Sequence, residues 1–173
     1  MKKIIYVALA MLVLASCEKP NKIGFVDNGT VINDFQEKID VEAKFKVKEE
    51  AFRKRADSIG RAFQAEAQST QTIAQKSSQK KAQELMGGLQ QKQQQLQQQM
   101  QFEQQQLQQS FQVEIDSVII KVKDFVKDYG KTNGYTFILG TSDAAATVMY
   151  GADENDLTKT ILEALNADHK KAE

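Results

Sequence analysis

From Asp34 to Asn133, about 100 residues run without a single proline. Proline inside a helix removes a backbone donor and clashes with the preceding turn, so a stretch this long without one is free to be helical throughout. In its first half, positions 45, 49, 52, 56, 59, 63, 66, 70, 73 and 77 alternate spacings of four and three, from Phe45 through Phe52, Ile59 and Phe63 to Ser77. That is a heptad seam, apolar near its start and increasingly polar toward its end. The pattern resumes through Leu89, Leu96, Met100, Glu103, Leu107, Phe111, Val118, Val122, Phe125 and Tyr129, with a four-residue step between Leu107 and Phe111 that locally unwinds a supercoil. Gly87-Gly88 is the only double-glycine break, and it predicts the turn of an antiparallel hairpin. Two arms of roughly 45–50 residues, at 1.5 Å per residue, make a hairpin on the order of 70 Å long.

The returning arm begins in a glutamine tract, with 14 glutamines among the 21 positions from Leu89 to Gln109. Its apolar residues recur at helical spacing, and glutamine loses little rotamer freedom in a helix. The tract therefore reads as helix.

Short strand-like segments flank the hairpin. Residues 22–32, KIGFVDNGTVI, read as a strand with its turn, and Asn33 or Asp34 is the expected cap of the first arm. After Asn133-Gly134, Tyr135–Leu139 and Ala145–Tyr150 read as two more strands. Asp153 is the expected cap of a last helix, with Glu154 and Asp156 in its first turn and Leu157, Ile161, Ala164 and Leu165 as its buried stripe. The expected class is α+β: a small β-barrel-like body carrying a long helical tentacle inserted between strand 1 and the C-terminal strands and helix. Segments 17–33 and 134–173 form the body, and 34–133 the hairpin. Without Cys17 the body amounts to 56 residues, too few to be more than marginally stable alone. Three strands also leave exposed edges. Both features predict subunits that share one body.

The N-terminus carries an address. Met1-Lys2-Lys3 supplies positive charge, and Ile4–Leu14 is an apolar run of eleven residues. That is too short to cross a bilayer, which takes about 20, and fits a secretory signal over residues 1–16. It ends in Leu14-Ala15-Ser16-Cys17, which resembles a bacterial lipobox, and Cys17 is the only cysteine. Cys17 is thus the expected lipid attachment point, and several acyl chains anchor a protein stably where one does not. Glu18 follows where an inner-membrane retention signal would carry aspartate, which favours a periplasmic protein on the inner leaflet of the outer membrane.

The chain is formally neutral, which argues against a nucleic-acid partner, yet its charge is unevenly placed. Residues 53–92 hold eight basic side chains against three acids, a net of +5; residues 135–173 hold three lysines against seven acids, a net of −4. Such a distribution favours anionic clients or lipid head groups near the tip. Enzyme chemistry finds no footing. Gly130-Lys131-Thr132 resembles the end of a phosphate loop, but the leading glycine's place is taken by Phe125 and the stretch closes a helix instead of opening one. His169 is the only histidine, expected at the surface, so neither a catalytic triad nor a metal site is indicated. No cofactor is expected. Ser58 and Ser117 follow aspartate and precede an apolar residue, a pattern that resembles O-glycosylation sites in some Gram-negative phyla.

The order of parts resembles the Skp/OmpH family of periplasmic chaperones. The likeness rests on Lys22–Asp27 (KIGFVD) and on Gly134 through Asn166, above all on Asp156-Leu157-Thr158. It implies a homotrimer with a small barrel body and three tentacles around a cavity. It also implies ATP-independent holding of unfolded outer-membrane proteins, by many weak contacts that add up. The family's soluble, strongly basic members differ from this neutral chain with its lipid signal. Candidate client contacts are the apolar Met86, Leu89 and Phe102, with Arg53, Arg61, Lys80 and Lys81 adding charge; no cluster here matches the family's lipopolysaccharide site. The alternative is a coiled-coil envelope lipoprotein that acts as scaffold or adaptor.

Overall fold

The computed structural model describes residues 21–142 and 145–172. Cys17 and the signal segment lie outside the described residues. The order is β1 (Ile23–Asp27), α1 (Asn28–Asp34), α2 (Gln36–Gln75), α3 (Gln79–Thr132), β2 (Phe137–Thr141), a 3-10 turn (Asp153–Asn155) and α4 (Thr158–Ala172).

Strand β1 ends sooner than its sequence suggests, because Asp27 turns the chain into a helix. The Asp27 carboxylate accepts the N–H groups of Gly29 (2.8 Å) and Thr30 (3.2 Å) and the Thr30 hydroxyl (3.0 Å). Those bonds cap α1, and they hold the Asp27 carboxyl below its ordinary range, the Thr30 N–H first among them. The chain then bends at Phe35 and starts α2. Phe35 is fully buried and its ring cannot cap. Neither Asn33 nor Asp34 takes the role; Asn166 of α4 does, accepting the Gln36 N–H at 2.9 Å.

Helices α2 and α3 form the hairpin, with 40 and 54 residues. The reversal lies at 76–78, not at Gly87-Gly88, which sit inside α3. Lys76 and Ser77 close α2 with N–H bonds to Ile73 and Ala74 carbonyls, and the Ser78 hydroxyl accepts the Lys81 N–H to start α3. A capping serine outcompetes two glycines, each of which costs a helix only about 1 kcal/mol. The paired length is about 60 Å, and α3 continues beyond it into the body.

Strands β1 and β2 pair in parallel, Ile23 opposite Phe137 through Asp27 opposite Thr141. Parallel strands require a crossover, and here the crossover is the hairpin itself. The other edge of β1 is closed by Asp156-Leu157-Thr158. Asp156 bridges to Phe25, Leu157 donates its N–H to the Phe25 carbonyl (2.8 Å), and the Thr158 hydroxyl accepts the Asp27 N–H (2.9 Å). A Cβ at Gly24 would collide with Leu157, so glycine lets the clamp close. No strand forms over Ala145–Tyr150: Ala145 only bridges to Ser142, and Met149 and Tyr150 are 89% exposed. With β1 covered by the clamp, the segment gains no partner strand. Asp153 opens the 3-10 turn, while Asp156 accepts the Thr158 N–H at 2.9 Å where α4 begins.

The core lies at the hairpin's base. Val26, Val31 and Phe35 meet Val118 and Val122 of α3, Leu157 just before α4, and Ile161 and Leu165 of α4. The expected stripe of α4 is thus the buried one, with Ala164 at its margin. Asn133 ends α3, and Gly134 follows at φ +71°, a left-handed residue that glycine adopts without penalty.

Candidate functional site

The hairpin is held by an ion-pair ladder on one register. Glu37–Lys121, Lys44–Glu114, Arg55–Glu103 and Glu66–Lys92 each bridge α2 and α3. The two residue numbers of every pair add to the same value, so nothing slips along the ladder. Phe45 and Phe111 pack edge to face between the arms, ring centroids 5.2 Å apart.

Burial follows an 11-residue repeat, not the heptads that spacing alone suggests. In α2 the inward pairs are Val41 and Phe45, Phe52 and Ala56, Phe63 and Ala67, then Ala74. In α3 they are Leu85 and Leu89, Leu96 and Met100, Leu107 and Phe111, Val118 and Val122. Glu66 faces the ion-pair flank, and Ile73 is 53% exposed, although a heptad places both in the seam. Eleven residues in three turns keep the seam nearly along the helix axis, where heptads would demand a left-handed supercoil.

Small residues in this seam leave clefts beside it. Near the base a cleft of about 550 Å³ is lined by Phe45, Phe52, Arg53, Ala56, Leu107 and Phe111. A second lies between Ile59, Gly60 and Phe63 of α2 and Leu96 and Met100 of α3. A third, nearer the tip, brings together Phe63, Ala67, Met86 and Leu89. Two of the expected contact residues, Met86 and Leu89, thus share one cleft, with Leu89 half-buried. Arg53 belongs to the basal cleft and pairs with Glu49 at 3.3 Å. Phe102 stands apart, 60% exposed on the side of α3 that faces away from α2. Lys80 and Lys81 sit at the tip, in the first turn of α3, and Lys81 pairs with Glu84. Arg61 is exposed midway.

The positive charge of residues 53–92 is partly spent inside the molecule. Arg53, Arg55, Lys81 and Lys92, four of its eight basic groups, are in ion pairs. Sequence spacing passed over Val113 and Ile120, which continue the exposed line of Phe102 along α3. Their signal was there: 102, 113 and 120 fall on one helix face, but only against a seam already placed. The body has its own uncovered apolar surface. Ile23 and its partner Phe137, with Leu139 beyond, lie on the outer face of the sheet, 45%, 58% and 40% exposed. Ser58 and Ser117 are both exposed. His169 is enclosed by α2 rather than standing on open surface, with its ring 3.2 Å from Asp40 and 3.6 Å from Glu37. Hydrogen bonds from the Gln36 side chain and from His169 hold Asp40 below its ordinary value.

Comparison with known proteins bears on this arrangement. A family model described as outer membrane protein (OmpH-like) matches residues 22–165. A prokaryotic membrane lipoprotein lipid attachment site matches residues 1–17, ending on Cys17. Among solved structures, the chain resembles one from Caulobacter crescentus described as an outer membrane chaperone (OmpH-like). The two share 15% identity over 87% of each chain, with a TM-score of 0.72, a likeness of fold. No curated protein matches the sequence.

Proposed function

The chain belongs to the OmpH-like family, and from that premise we propose that it is a chaperone that holds unfolded outer-membrane proteins in the envelope without consuming ATP. The family is non-enzymatic, and the chain is a lipid-anchored envelope protein by its attachment site at Cys17. The observation that carries the reading is a hairpin about 60 Å long mounted on a small body whose outer sheet face is uncovered.

That face supports assembly. Ile23, Phe137 and Leu139 in each subunit would be covered by the same residues of neighbours, giving a trimer with a shared barrel body and three tentacles around a cavity. The clefts beside the seam would take single apolar side chains of a client. Each contact is weak, and their number retains the client until it folds or is passed on. Only five residues separate Cys17 from Ile23, a leash of roughly 20 Å at full extension. The body would therefore stay close to its membrane, the inner leaflet of the outer membrane, where barrels are inserted.

A holding assay tests the reading. The purified chain, added to a urea-unfolded outer-membrane barrel on dilution, should suppress light scattering at about three chains per client. Unchanged aggregation would overturn it and favour a scaffold role.

A further inference from the structure

The two arms of the hairpin present opposite chemistries to solvent. Over residues 46–61 the exposed side of α2 is densely charged, with Lys46, Lys48, Glu50, Lys54 and Arg61 among its residues. On α3, the stretch from Gln90 to Val113 holds only two charged residues, Lys92 and Glu103. Both are taken up in the ladder, by Glu66 and Arg55. What remains is a face about 35 Å long covered by carboxamides. Gln95, Gln98, Phe102, Gln106, Gln109 and Val113 follow at intervals of three and four, all exposed, on the side away from the seam. Beside Gln106 and Val113 the surface dips into a cleft that Gln109, Ser110 and Glu114 also line, the Glu114 carboxylate being paired with Lys44 of α2.

From this we infer that the glutamine face of α3 is a docking surface for extended, unfolded polypeptide, read through its backbone and not its charge. The inference rests on the chaperone reading above and says where the client lies. A carboxamide offers both donor and acceptor, the same pair that a peptide group presents. Neighbouring rows on a helix face stand about 5–6 Å apart. The peptide groups on one side of an extended strand recur about every 6.6 Å, a mismatch that glutamine's three side-chain torsions absorb. A folded helix or paired strand has already satisfied its backbone and has little to offer this face. An unfolded barrel segment has not. Phe102 and Val113 then take apolar side chains of the same segment, which makes the face selective for chains that alternate polar and apolar residues. Because no charge is involved, retention should persist in salt, unlike capture by a basic surface.

The test places a photo-crosslinking residue at Gln98 or Gln106 on α3 and at Lys54 on α2, in the full lipidated chain, with a urea-unfolded outer-membrane barrel as probe. Adducts at 98 and 106 should exceed those at 54 by about tenfold and persist in about 0.5 M salt. Replacing Gln95, Gln98, Gln106 and Gln109 together by Ala favours the helix, so misfolding does not explain a loss, and should weaken client retention by about tenfold. If the client is held but crosslinks mainly at 54, or if positions 98 and 106 crosslink mainly to a second copy of the chain, the docking inference is overturned and the chaperone reading stands. Unchanged retention by the four-alanine variant overturns it as well. A wild-type chain that holds no client overturns both.

Discussion

Asn166 caps a helix to which it does not belong: its Oδ1 accepts the backbone N–H of Gln36, the first residue of α2, at 2.9 Å. The hairpin's first arm is thus started by the last helix of the body, 130 residues downstream in sequence. Replacing Asn166 by Ala should cost about 1 kcal/mol, read as a lower midpoint in urea unfolding. Asn166→Asp keeps the acceptor and should recover most of it.

Phe45 is the most deeply buried residue of the paired part of α2, 5% exposed and packed edge to face against Phe111. Phe45→Ala should destabilise the hairpin by about 3 kcal/mol. Limited proteolysis is the discriminating measurement. Cleavage should appear in α2 and the facing part of α3 before the body, whose core is formed by other residues, is cut.

The ladder predicts a charge-swap result. Arg55→Glu or Glu103→Arg alone places like charges opposite each other and should destabilise by about 0.5–1 kcal/mol, while the double swap restores the wild-type midpoint. Arg55 is half exposed, so the effect should shrink as salt is raised.

Acid should loosen the body through Asp27. Its folded carboxyl titrates below the ordinary 3.8, held there by hydrogen bonds from Thr30 and Gly29. The unfolded chain therefore takes up the proton first as pH falls. The stabilisation is complete above about pH 4 and is lost as pH drops toward the folded value. Asp40 titrates low as well, so Asp27→Asn should flatten, but not abolish, the acid side of a stability profile measured by thermal unfolding.

Much of this architecture was legible in the residues, and the failures share one cause. The long helices and the Leu157, Ile161 and Leu165 stripe were local patterns found where they lay, while β1 stops at Asp27 and β2 runs over Phe137–Thr141, two residues beyond the expected Tyr135–Leu139. The turn was misplaced because Gly87-Gly88 is a conspicuous breaker, while Ser77-Ser78 looks like ordinary helix surface until Ser78 is seen to cap. Heptads and an 11-residue repeat coincide for two turns and part only later; choosing between them needs both arms together. The expected strand over Ala145–Tyr150 failed because strandedness belongs to pairs, and here Ala145 bridges only to Ser142. Of the expected contact residues, Met86 and Leu89 converge in one cleft, and Phe102 stands exposed off the seam, as its spacing suggests.

The repeat makes one more outcome testable. Deleting residues 46–56 together with 102–112 removes one unit from each arm and should leave a cooperative, fully helical hairpin with its three other ion pairs intact. Removing nine residues from each arm, two and a half turns, turns the outer half of the seam toward solvent and should melt it. Circular dichroism on heating separates the two.

The hairpin is in this sense a ruler with fixed graduations. Its length can change only in strides of about 16 Å, because each stride brings its own pair of inward residues and its own rung. A lineage that needed room for a larger cargo would not have to redesign the arm. It could duplicate a graduation on both sides at once, lengthening the arm while the body and its anchor stay as they are.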